Sequence, residues 1–163
     1  YPGRMKEFLD SSFDTFNLEW PKYRPRVEDA VADFEAGVTS LIQVFGDNVA
    51  RKPDSRQFNR AIFDALIYYH SQDALRRAVA TKKVTVRRAY ETLFKSGSKF
   101  LDAVESDTAG TPNTATRLEV WGRSLSRIAG MKVAAPKIQS ASSRPRPRAQ
   151  RGRGARKGRS GRK

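Results

Sequence analysis

Cysteine is absent from the 163 residues, and histidine occurs once, at His70. Without cysteine there is no disulfide framework, no thiolate zinc site and no cysteine nucleophile, and a reducing, cytoplasmic setting is the expectation. Long hydrophobic runs are missing too. The longest apolar stretch, around Ala61 to Tyr69, is interrupted by Asp64 and is far too short to span a bilayer, so no membrane partner is expected. No secretory leader is recognised, and the first residue is Tyr1 rather than Met, so the chain is expected to be processed or a piece of something longer. Negative charge is in short supply: 17 Asp+Glu stand against 32 Lys+Arg, a net charge of +15.

That charge is unevenly placed. From Lys132 to Lys163 there are 12 Lys+Arg and no acid, which leaves 20 basic and 17 acidic residues, or +3, for residues 1–131. After Ile138 the chain has no aromatic and no branched aliphatic residue. Ordering a backbone costs roughly 1–2 kcal/mol per residue, and this composition has too little apolar surface to offset it. The expected organisation is a helical domain over 1–131 and a disordered Arg/Gly/Pro-rich tail over 132–163, with the boundary near Gly130 to Pro136.

The body repeats apolar residues at helical spacing and almost never alternates like a strand, so the expected fold class is all-α: an irregular bundle of five or six helices. Met5, Phe8, Leu9, Phe13 and Phe16 form one stripe of a first helix that ends before Pro21. Pro21 and Pro25 mark a bend. Val27, Ala30, Val31, Phe34, Val38, Leu41, Ile42 and Phe45 continue the period to a stop at Gly46. Ser55 is the expected cap of a central third helix with Phe58, Ala61, Ile62, Ala65, Leu66 and Tyr69 inward. A short helix from about Gln72 to Ala80 follows. Thr85 opens another that runs through Val104 with a kink at Gly97, and Asn113 or Thr114 caps a last helix closed by Gly130.

Groups able to do chemistry are few. His70 follows Tyr68 and Tyr69 at a helix end, where it reads as a structural side chain beside the last carbonyls rather than a base, because no second histidine or cysteine exists to orient it or share a metal. Asp102 and Glu105 lie three apart and offer oxygen ligands, but a solvated helix face accounts for them equally. The glycines of the body stand alone, with no phosphate-cradling loop. No metal, no cofactor and no catalytic residue is therefore expected.

Two basic features remain. Arg76 and Arg77, Lys82 and Lys83, and Arg87 and Arg88 form three pairs across a helix-loop-helix junction, placing either a positive patch or ordinary solvated charge on one surface. In the tail, Arg144, Arg146 and Arg148 alternate with prolines, while Arg151, Arg153, Arg156, Arg159 and Arg162 alternate with small residues. Such spacing leaves each guanidinium free to meet a phosphate, with counterion release as the driving force and no ordered element to read sequence. The partner expected from these residues is nucleic acid, bound non-specifically; a solubilising or targeting extension is the alternative.

The stretch Phe58-Asn59-Arg60-Ala61-Ile62-Phe63-Asp64-Ala65-Leu66, preceded by Phe45-Gly46 and a short basic loop, resembles the helical region that follows the nuclease-like domain of GmrSD-type modification-dependent restriction proteins. Arg4 to Asp10 resembles the start of that region, and Thr114, Arg117, Trp121-Gly122 and Ile128 resemble its final helix. The resemblance implies DNA restriction and phage defence, with a ParB-like nuclease domain as partner. It also implies an Asp-Gly-Gln-Gln-Arg motif in that domain and, in some relatives, a His-Asn-His nuclease. This chain contains neither, so the expectation is a non-catalytic helical module without its catalytic partner. Asn59, Arg60 and Asp64 are the polar members of this stretch and are assigned no catalytic role; Asn59 and Asp64 lie off the apolar stripe, where helix capping or contact with that domain is the reading. The alternative is a stand-alone basic nucleic-acid-associated protein whose body serves dimerisation or partner binding.

Overall fold

The computed structural model describes residues 5–136 and residue 138. Among them lie six α-helices and no strand: α1 (Met5–Phe45), α2 (Arg60–His70), α3 (Asp73–Val79), α4 (Lys83–Thr92), α5 (Lys99–Glu105) and α6 (Thr111–Ala129). A 3-10 turn at Gly46–Asn48 follows α1, and one isolated bridge joins Arg51 to Phe58. None of these helices is long and apolar enough to cross a membrane. The tail arginines, Arg144 to Arg162, lie outside the described residues.

The first helical stretch of α1 ends just before Pro21, as expected. Proline has no N–H to donate and disfavours helical geometry in the residue before it. The strain is taken up at Glu19 (φ −120°, ψ 25°), and helix resumes through Pro21 and Pro25. Met5–Phe45 is thus two helices joined at the expected bend and labelled here as one element. At 1.5 Å per residue the stretch before the break is about 22 Å long and the stretch after it about 39 Å. A domain of this size is about 36 Å across, and the exposure of Leu9, Phe13 and Phe16 places the first stretch outside it as an overhang.

The core is built under the C-terminal quarter of α1. Leu41, Val44 and Phe45 are buried there, whereas Ile42, expected inside, is 56 % exposed. Helix α2 is central and packs against α1, α3 and α6. Glycines bring it close to its two long neighbours. A Cβ at Gly37 of α1 would press on Ile67 and Ser71, and one at Gly122 of α6 would run into the Tyr69 ring and hydroxyl. Tyr69, fully buried, donates its hydroxyl to the Leu118 carbonyl at 2.7 Å. Trp121, Phe100, Leu66 and Ile62 complete the centre. Tyr90 sits among the rings of Phe45, Phe94 and Trp121 and donates to the Arg51 carbonyl at 2.6 Å.

Helix ends differ from expectation for local reasons. Asn59, not Ser55, caps α2: its side chain accepts from the Ile62 N–H at 3.1 Å. Ser55 instead accepts from the Gln57 N–H in the preceding turn, and Phe58, outside the helix, is 60 % exposed. The helix expected from Thr85 to Val104 is two helices, because Gly97 takes a left-handed conformation (φ 73°) and Ser98 caps a new start by accepting from Leu101. Gly110 is the N-cap of α6 with Pro112 in its first turn; Asn113 turns back to the Ser106 carbonyl. Gly130 closes α6 at φ 71°, as its position suggested, and Val133 and Ile138 pack against the core beyond it. Replacing Gly122 with alanine should push Tyr69 off its carbonyl and cost about 1–3 kcal/mol, measured as a lowered urea midpoint; an unchanged midpoint would show that the α2–α6 contact is looser than described.

Candidate functional site

An α-helix leaves its last four carbonyls without internal partners, and those carbonyls carry the negative end of the helix dipole. In this bundle cations from other helices answer four of these ends. Arg87 of α4 donates to Val44 O at the end of α1, at 3.0 Å from Nε. Arg76 of α3 donates to His70 O (3.1 Å) and Ser71 O (2.7 Å) at the end of α2. Arg117 of α6 reaches Ala103 O in the last turn of α5 at 2.8 Å, and Lys82 meets Ile128 O at the end of α6 at 2.7 Å. Helices α1 and α5 have no basic residue in their own last turns.

Of the six basic residues that the sequence groups as either a positive patch or ordinary solvated charge, four are engaged with carbonyls or carboxylates of the bundle. Arg76, besides its two carbonyls, pairs with Asp33 of α1 at 3.1 Å and Asp73 at 3.4 Å, and its side chain is mostly buried. Arg77 pairs with Asp73. With Lys82 and Arg87 committed to carbonyls, Lys83 and Arg88 are the two members outside these contacts.

Arg117 was legible only as part of a family-like helix; the structure makes it a buried anchor. It is 2 % exposed and also donates to Thr108 O and Thr114 Oγ1. Burial draws its pKa down from the ordinary guanidinium value, with Asp64 opposing. Glu105 is paired with Lys52 at 2.8 Å, and among the described residues no cluster of three or more His, Cys, Asp or Glu could hold a metal. Asn59 is a cap, and Arg60 and Asp64 face each other at 3.9 Å on the exposed side of α2.

His70 is 1 % exposed, with Nδ1 3.1 Å from Ser40 Oγ of α1 and Nε2 unpartnered. Burial, reinforced by the Arg76 charge, pushes its pKa down to about 4. It is a neutral core histidine that joins α2 to α1, not a base facing substrate.

The surface that stands out is apolar. Along the overhang of α1, Leu9 (41 %), Phe13 (61 %), Phe16 (37 %), Trp20 (41 %) and Phe34 (46 %) are exposed. Of the first stripe, Leu9, Phe13 and Phe16 are thus exposed, and the side chains of Met5 and Phe8 lie outside the described ones. Phe16 and Tyr23 meet edge to face at 5.6 Å across the break, and with Val27, Ala30, Val31 and Phe34 they line an open groove. Phe34 touches Phe63, which touches Phe58, extending the surface onto α2. No family model, curated protein or solved structure matches the chain.

The histidine makes a test of the bundle. Its folded pKa lies below the unfolded value of about 6.5, so the unfolded chain takes up the proton more readily. Stability is full above pH 6.5 and falls as the pH drops toward 4, by about 3 kcal/mol at the limit. Urea unfolding across pH 4–7.5 should show this loss, and His70→Gln should remove most of it; an equal pH dependence in the variant would assign the effect elsewhere.

Proposed function

We propose that this chain is a non-catalytic helical module of a GmrSD-like DNA restriction and defence assembly. Its folded body provides protein contact through α1, and its basic C-terminal segment provides non-specific nucleic-acid contact. The carrying observation is the apolar face of α1, on which Leu9, Phe13, Phe16, Trp20 and Phe34 are exposed. Exposed apolar patches of more than a few hundred Å² mark interaction surfaces. The charge balance supports the division of labour: four of the body's cations cap helix ends and its 20 basic residues are nearly matched by 17 acidic ones, so most of the net positive charge comes from the 12 Lys+Arg after Gly130. In this reading a ParB-like nuclease supplies the catalysis that the module lacks. A stand-alone nucleic-acid-associated protein is the second reading, favoured by the same exposed face, and it differs in having no nuclease client.

Retention on immobilised duplex DNA tests the tail. The full chain should bind at low salt, with log K falling by about 0.9 per phosphate engaged as log salt rises. A chain ending at Gly130 should lose that retention. Equal retention by both would place the contact in the body and overturn the reading.

A further inference from the structure

The spacing of apolar residues on α1 is more regular than either half suggests. Leu9, Phe13, Phe16, Trp20, Tyr23, Val27, Ala30, Phe34, Gly37, Leu41 and Val44 follow one another at alternating intervals of four and three. That is the seam of a coiled coil, where two positions in every seven face a partner helix. The last three, Gly37, Leu41 and Val44, are buried within the body. The first eight continue the same seam beyond the body, and the Phe16–Tyr23 ring contact keeps it on one face across the break at Glu19.

From this spacing we infer that the uncovered seam is closed by the same segment of a second copy of the chain, running antiparallel. Reversed about an axis between Trp20 and Tyr23, the pattern maps onto itself. Leu9 falls opposite Phe34, Phe13 opposite Ala30, Phe16 opposite Val27 and Trp20 opposite Tyr23. Three of these layers set a large side chain against a smaller one, as a filled core requires. A parallel, in-register pair would stack Phe13, Phe16, Trp20, Tyr23 and Phe34 each against its own copy. Antiparallel arms also send the two bodies to opposite ends.

The size is sufficient. Five aromatic residues per copy lie on the seam, and an aromatic side chain has 150–250 Å² to bury. Covering the exposed parts of these rings and of Leu9 removes roughly 1,000 Å² from water over two copies, about what a specific interface needs. The inference rests on the assembly role proposed above and names the occupant.

Sedimentation of the nuclease-treated full chain at micromolar concentration should give twice the chain mass. Phe13→Glu and Phe16→Glu should each weaken the dimer by roughly tenfold or more while circular dichroism stays unchanged, because neither side chain is in the core. The chain has no cysteine of its own, so disulfide trapping reads the register. A mixture of Phe13→Cys and Ala30→Cys chains should cross-link, each alone should not, and Leu18→Cys, on the opposite face and 85 % exposed, should not. A monomeric wild type, a dimer indifferent to Phe16→Glu, or efficient cross-linking of Phe13→Cys with itself would overturn the antiparallel arm. DNA retention measured on the same samples reports separately on the tail.

Discussion

The bundle is tied together at the ends of its helices. Short elements such as α3 and α5, seven residues each, bury little surface and cannot stand alone. What fixes their places is charge meeting carbonyl: Arg76 binds the end of α2 to α1 and α3, Arg87 binds the end of α1 to α4, Arg117 locks α5 to α6, and Lys82 returns to the last turn of α6. A hydrogen bond from a charged donor contributes about 1.5–3 kcal/mol when sheltered, and less where water competes. Arg117 is the sheltered extreme; losing it would leave the Ala103 and Thr108 carbonyls without its charge.

This constraint shapes function by subtraction. A basic residue that spends its donors on carbonyls is poorly placed to neutralise a phosphate. The folded part is close to electroneutral in sequence, at +3 over residues 1–131, and its most prominent basic cluster is mainly mortar. The net positive charge then belongs to the C-terminal segment, while the folded part offers its apolar overhang. Protein contact and nucleic-acid contact are carried by different stretches of one chain.

Much of this was legible in the residues. Apolar periodicity marks the longer helices and Gly130 marks the end of α6, whereas His70, read as lying beside the last carbonyls of its helix, meets Ser40 of α1 instead. Three kinds of feature were not. Periodicity locates a stripe but not whether anything covers it, so Ile42 shares a stripe with buried Leu41 and Phe45 although it is itself exposed. Pro21 and Pro25 divided the seam into two separate stripes and hid its continuous four-three rhythm. The capping cations act over sequence separations of 43 residues for Arg87 and 46 for Lys82, and nothing local distinguishes them from Lys83 and Arg88. Ser55 and Asn59 are both good caps by residue type, and the structure uses Asn59 for α2 and Ser55 for the preceding turn.

The central claim is that the body's cations hold helices rather than phosphates. Stability and DNA affinity measured side by side on Arg76→Met, Lys82→Met and Arg87→Met, with Lys83→Met and Arg88→Met for comparison, test it most directly. The account predicts losses of about 1 kcal/mol or more in the first three, near-neutral stability in the other two, and DNA affinity of the full chain within about twofold throughout. Unchanged stability together with a tenfold drop in DNA affinity for Lys82→Met and Arg87→Met would contradict it.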